Sequence, residues 1–360
     1  MEKREVLFFG RRNRWGLTVL SVILCFVIAP IVGMAAMMPQ VMALAPVALM
    51  ILLGFVGPVS AVICTGICVG IGGTLFGMQG MIAALLLFVP VIIVSAVLVE
   101  KRLPFWQSAG IGAGTMFISM TAVIGMLTVL TGSDVVTAFT QIVREMFSQM
   151  GGVSDALLLM FAQMGIVPVE GLDLSAQSIG VVLTPEMREE MVNTIALILD
   201  SGLRLELPAQ MVTGSAAAGV LGQVLLRKSV LARGIEIPYP RLRTWRLPKG
   251  WGRVLLGTLV VFFIAAQLVP ERMNSTLYVF IQVFDRLFAV QGIAAVCYML
   301  HKNGKGKFWK LLTVFAGLFV VRSIALAVGI ADQGMDITHR REAFGDKDNP
   351  YDPFGRKPEE

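Results

Sequence analysis

The sequence predicts an all-α, polytopic transmembrane helix bundle of about nine spans, with amphipathic interfacial helices between spans five and six. Three observations predict it. Hydrophobic residues make up 56% of the 360-residue chain and charged residues only 15%, against about 25% charged in a soluble domain. Apolar runs of about 20 residues recur along the whole length, enough for a helix to cross a bilayer core of roughly 30 Å. The mean hydropathy is +0.77. These values exclude a soluble enzyme, a disulfide scaffold, a disordered chain and a nucleic-acid-binding domain. The formal net charge of +6 therefore bears on topology, because Lys and Arg in short connections mark the cytoplasmic side.

Residues 1–14 carry Lys3, Arg4, Arg11, Arg12 and Arg14 and form a basic cytoplasmic N-terminus. Trp15 opens the first span at the height where amphipathic rings settle in the interface, and the run ends near Met38. No cleavage site follows, and the run exceeds a signal-peptide core, so it reads as a retained span. Val41–Phe55 is short for a crossing at 1.5 Å per residue, but parity requires it. Gly57–Gly77 and Met78–Val99 make spans three and four, and Glu100-Lys101-Arg102 returns the chain to the cytoplasm. Gln107–Leu130 is the fifth, so residues 15–131 hold five spans.

Residues 132–206 are moderately apolar and richer in acidic than in basic side chains, as expected for an outside-facing amphipathic segment. Thr184, Pro185 and Glu186 supply an N-cap, a first-turn proline and a carboxylate at the positive end of a helix dipole. Met187, Met191, Ile195 and Leu199 then draw one apolar stripe. Residues 207–226 form the sixth span. The connection 227–253, with Arg227, Lys228, Arg233, Arg241, Arg243, Arg246, Lys249 and Arg253, must be cytoplasmic. Residues 254–330 hold spans seven to nine, separated by Pro270-Glu271-Arg272 outside and the basic stretch His301–Lys310 inside. The tail, 331–360, is polar. Nine spans place it outside, whereas Arg340 and Arg341 favour the inside.

Ionisable groups within spans are costly and hence informative. Asp285 and Arg286 lie near the middle of the eighth span and Arg322 near the middle of the ninth. Neighbouring helical residues point about 100° apart, so the economical arrangement pairs Asp285 with Arg322 and turns Arg286 to another polar face. Such a pair either fixes helix register or belongs to an anion-binding cavity. Gln282 and Gln291 flank Asp285, and Gln210, Thr213, Ser215 and Gln223 add polar groups to the sixth span. Gly66, Gly70 and Gly73, Gly110 and Gly114, and Ala218 with Gly222 form small-residue patterns that let helices approach closely in lipid. Cys25, Cys64, Cys68 and Cys297 sit in apolar runs as packing residues. The only histidines, His301 and His339, flank the spans, and no phosphate-cradling Gly-rich loop occurs. No catalytic, cofactor-binding or metal site is expected, and the chain is not read as an enzyme.

The C-terminal half resembles the YybS-like family of uncharacterised bacterial integral membrane proteins. The resemblance rests on Thr244-Trp245-Arg246-Leu247-Pro248, Val290-Gln291-Gly292-Ile293-Ala294 and Gly329-Ile330-Ala331-Asp332-Gln333-Gly334-Met335-Asp336. The N-terminal half, over residues 15–228, is more remotely similar to the substrate-binding S components of energy-coupling-factor transporters, through Gly57-Pro58, the Gly-rich third span and Phe88-Val89-Pro90. That likeness implies a small-molecule-binding bundle dependent on other membrane transporter subunits. It also implies a partner contact through small residues of the first span, here Ala29 and Gly33.

The expected setting is the bacterial cytoplasmic membrane, with the lipid bilayer as partner and no nucleic acid. The expected function is a small-molecule uptake component, its ligand unspecified. The alternative is a non-transporting membrane interaction or assembly protein serving the cell envelope, division or sporulation.

Overall fold

A computed structural model describes residues 39–149, 152–167, 183–231, 233–235, 237, 239, 240, 242–247 and 251–335. Among them there is no β-strand: ten α-helices and one 3-10 turn account for the regular structure. The helices are α1 (Pro39–Val56), α2 (Pro58–Glu100), α3 (Phe105–Thr131), α4 (Val135–Gln149) and α5 (Gly152–Gln163). After them come α6 (Pro185–Leu231), α7 (Trp251–Leu268), α8 (Pro270–Lys302), α9 (Lys307–Phe319) and α10 (Arg322–Met335). Four begin on proline, whose fixed φ suits the first turn and whose missing N–H costs nothing there.

Helix α2 doubles back on itself. A Cβ added to Gly72 would lie 2.9 Å from the Gly80 carbonyl oxygen and 3.4 Å from the Ala84 Cβ, whereas residues 72 and 84 of one straight helix stand about 18 Å apart. The reversal falls at Phe76 (φ −126°) and Gly77 (φ 64°). Only glycine takes a left-handed φ without a steric cost, so Gly77 sets the turn. The third and fourth apolar runs of the sequence are the two arms of this hairpin.

By length and composition five helices can cross a membrane: α2, α3, α6, α7 and most of α8. A sixth is reached if α9 and α10 count as one bent span. The expected nine are not all represented among the described residues, and α2 counts as one helix here although its two arms are the third and fourth runs. The first run, Trp15–Met38, lies outside the described residues. The second forms α1, whose apolar part Met42–Val56 is short, and spans three and four are the single hairpin helix α2. The ninth, expected as one helix, is broken into α9 and α10 with a bend of 103°. Both Val320 and Val321 donate their N–H to the Ala316 carbonyl at 2.8 Å, which ends the helical ladder without a proline.

The expected division at 206/207 falls inside one helix, α6, which runs from Pro185 past Pro208 to Leu231 and includes Arg227. The eighth span begins at Pro270 and ends at Lys302, several residues earlier and slightly later than the apolar run.

The chain forms two compact units, Ile124–Leu207 and the remainder. In the larger, Met42, Leu49, Met50 and Leu53 of α1 and Leu87 and Phe88 of α2 are fully buried. Helix α6 joins them at glycines: a Cβ on Gly222 would lie 2.6 Å from Met50 Sδ, and one on Gly219 2.6 Å from the Ala113 nitrogen of α3. Helix α8 packs against α7, α9, α10 and the turn Leu242–Thr244.

The smaller unit has its own apolar cluster of Leu158, Ala162, Val167, Leu183, Met191 and Ile195, with Met187 and Leu199 packed on it. The four-residue stripe of α6 thus faces one core. Thr184 Oγ1 accepts the Met187 N–H at 3.2 Å, capping the helix. Arg188 grips Asp155 through two parallel bonds of 2.7 and 2.6 Å.

Candidate functional site

The polar groups of the larger unit gather on α8 at two levels. At the first, Arg322 opens α10 immediately after the break in the ninth run, and its Nη2 donates to Asp285 Oδ2 in an ion pair. The same nitrogen donates to Gln282 Oε1 at 3.4 Å, and Gln282 Nε2 donates to the Tyr278 hydroxyl at 3.1 Å. Tyr278, Gln282 and Asp285 follow helical spacing and share a face. The side chains of Arg322 and Asp285 are 36% and 24% exposed, so the pair sits at a margin of the packing. Arg286 is half-buried on another side of α8. The guanidinium of Arg322 thus bridges the Asp285 carboxylate and the Gln282 amide oxygen, joining α10 to α8.

The second level is centred on Gln291, which the sequence grouped with Asp285 and the structure separates from it. Gln291 is 3% exposed. Its Nε2 donates to Gln333 Oε1 at 2.9 Å, and its Oε1 accepts the Leu247 N–H at 3.3 Å. Beside it the helices touch through backbone. A side chain on Gly292 would collide with the Ala325 carbonyl, and one on Gly329 with the Phe288 carbonyl. Gln333 also covers the start of α7, where a Cβ on Gly252 would lie 2.8 Å from its Cγ. The three segments that carry the C-terminal resemblance therefore meet at one junction. Sequence reading quoted Gly292, Gly329 and Gln333 as motif letters without assigning them a contact. Glycines in the interior of two apolar helices were the available signal.

Other glycines behave differently. Gly66, Gly70, Gly110 and Gly114 have nothing within 4 Å of an added Cβ, and Gly73 meets only Met81 of the neighbouring arm, at 3.4 Å. Close approaches run through Gly222, which the sequence paired with Ala218, and through Gly72 and Gly219, which it did not single out. Ala29 and Gly33 lie outside the described residues.

Arg227, to which the sequence gave only a topological part, is also held by specific contacts. It is 2% exposed. Its Nη2 donates to the Leu103 carbonyl at 2.7 Å and to Ser108 Oγ at 2.8 Å. Its guanidinium stands 5.4 Å from the centre of the Phe105 ring. Next to it Trp106 stacks on Trp245 at 5.5 Å. The start of α3, the end of α6 and the basic connection are thereby held together.

In the smaller unit Asp134 caps α4. Its Oδ1 accepts the N–H groups of Val136 and Thr137 at 2.9 and 3.0 Å, and its Oδ2 accepts the Thr137 hydroxyl at 2.8 Å. These bonds to Thr137, with Arg204 at 3.1 Å, hold its carboxyl at about 2 against an ordinary 3.8.

Among the described residues no three His, Cys, Asp or Glu side chains gather as metal ligands. Two hollows, counted with the space open to solvent, measure 310 Å³ and 180 Å³. The first is lined by Leu53, Pro58, Val99 and Leu226 among others, the second by Trp245, Arg246, Leu247, Leu287 and Gln291.

Searches of curated proteins and of solved structures returned no match. The family described as predicted membrane protein (DUF2232) matches residues 16–332, nearly the whole of the helical chain, and the protein belongs to that family.

Proposed function

We propose that this is a non-enzymatic multi-pass protein of the bacterial cytoplasmic membrane that works by docking partner proteins on its basic face. The carrying observation is the fixing of the basic connection. Arg227 locks its start to α3, Trp245 stacks on Trp106, and Leu247 is bonded to Gln291. A loop needed only for topology requires charge and no such order. A fixed basic surface suits an acidic partner, whose encounter it steers electrostatically. Lys228 and Arg253 are exposed on it. A photo-crosslinker at position 228 or 253 should capture one discrete species in native membranes, and Lys228→Glu with Arg253→Glu should abolish that adduct. A smear that ignores charge reversal overturns the reading.

A second reading, an uptake component similar to the S components, is supported by the break between α9 and α10. Interrupted helices in transporters put polar groups at substrate sites, and here the break puts Arg322 beside Asp285 and Gln282. Copurification with an energy-coupling module, or a small molecule that raises the melting temperature in detergent, would favour it. The YybS-like resemblance fits either reading.

A further inference from the structure

The course of α9 and α10 along α8 runs out and back. At the start of α9, Lys310 Nζ lies 3.2 Å from His301 Nδ1 and its carbonyl 3.8 Å from Cys297 Sγ. Further on, a Cβ on Gly317 would lie 2.6 Å from Ile293 Cγ1. Rising numbers on α9 thus meet falling numbers on α8. After the bend the order reverses: Arg322 meets Gln282 and Asp285, Gly329 meets Phe288 and Gly292, and Gln333 meets Gln291. Gln333 finishes against Gly252 at the start of α7, on the amide that also binds Leu247 of the basic connection. Arg322 meets α8 at Gln282, 12 residues along from Pro270 and hence about 18 Å from that end of the helix.

We infer that α9 and α10 form a re-entrant pair that enters and leaves the bilayer on the side of the basic connections, with α9 seated on anionic lipid headgroups there. Helix α9 turns Val314 and Gly317 toward α8. Phe308, Leu311, Leu312, Phe315 and Leu318 of α9 are exposed, Phe308 and Leu311 each by 70%. That spacing is one helical face. Lys302, Lys305 and Lys307 stand exposed at its beginning, next to Trp309. An apolar face, an interfacial tryptophan and a run of lysines match a lipid surface with negative headgroups. The positive-inside rule favours the same side for Arg340 and Arg341 of the sequence.

Sidedness tests this in sealed vesicles with a membrane-impermeant maleimide, on a full chain freed of native cysteines. Thr338→Cys should react from the same side as Lys228→Cys and opposite to Asn274→Cys; reaction with Asn274→Cys overturns the proposal. A peptide tag placed after Glu360 of the otherwise unaltered chain reads the same side by protease access, should the cysteine-free protein misfold. For the headgroups, a fluorophore on Leu311→Cys should be quenched at least twofold more by brominated phosphatidylglycerol than by brominated phosphatidylcholine. Lys302→Gln, Lys305→Gln and Lys307→Gln together should remove the difference. Equal quenching before those changes overturns the headgroup assignment.

Discussion

Gly292 of α8 and Gly329 of α10 face each other backbone to backbone, each leaving no space for a side chain on the other. Here the obstacle is main chain, which cannot swing aside as a methionine can. Gly292→Val or Gly329→Val should cost about 1–3 kcal/mol, the usual penalty of overpacking. Gly66→Ala, placed in open space, should stay within about 0.5 kcal/mol of the parent. Thermal unfolding in detergent, run on the three variants side by side, checks the contrast. Equal melting would mean that α10 does not cross α8 at this point.

Asp285 and Arg322 should behave as a coupled pair. Asp285→Asn leaves the guanidinium beside a neutral amide, and the melting temperature should fall. Asp285→Asn combined with Arg322→Gln should recover part of the loss, with a coupling of about 0.5–3 kcal/mol. The lower half is expected, because neither side chain is fully enclosed. Additive losses would show that the two groups do not stabilise each other. Normal melting with a lost response to a small molecule would instead favour the uptake reading.

The sequence revealed what depends on near neighbours or on cost. The cap at Thr184 and the stripe from Met187 to Leu199 are local patterns, and the pairing of Asp285 with Arg322 follows from the expense of isolated charge in lipid. Span counting depends on breaks that composition does not record. A hydropathy run records that 20 residues are apolar; it does not record that Val320 and Val321 converge on one carbonyl and turn the helix. Parity arguments therefore turn on whether α9 and α10 count as one crossing. Gly66 and Gly70 were indistinguishable by composition from Gly72 and Gly219, because whether a glycine packs depends on which face a distant helix covers. The place of Arg227 was hidden for a related reason: its partners, Leu103 and Ser108, lie more than a hundred residues away.

Arg227→Gln should loosen the basic connection while leaving the helices in place. The substitution removes a charged donor from the Leu103 carbonyl and from Ser108 Oγ. Hydrogen bonds to charged groups contribute about 1.5–3 kcal/mol each. Hydrogen exchange of Trp106 and Trp245 amides should accelerate, and protease cleavage between 233 and 247 should rise. Arg227→Lys should rescue little, since a point charge does not reproduce the planar fork that reaches two acceptors. Unchanged exchange would show that the connection is held by Trp245 and Leu247 alone.

Asp134 gives the smaller unit a defined acid sensitivity. Its carboxyl titrates at about 2 in the folded chain and at 3.8 when unconstrained. A depressed carboxyl stabilises the fold above the unfolded value and loses that contribution as pH falls through the folded one, so protection should decline between about pH 4 and 2. The amides of Val136 and Thr137 report it directly, because both donate to Asp134 Oδ1. Asp134→Ala should lose an N-cap worth about 0.5–2 kcal/mol at neutral pH, and this step of the acid profile should vanish with it. Asp134→Asn keeps an acceptor for the helix while removing the charge that Arg204 meets at 3.1 Å. It should therefore retain most of the neutral-pH stability and still lose the acid step. An acid step that survives in both variants would assign the sensitivity to another carboxylate.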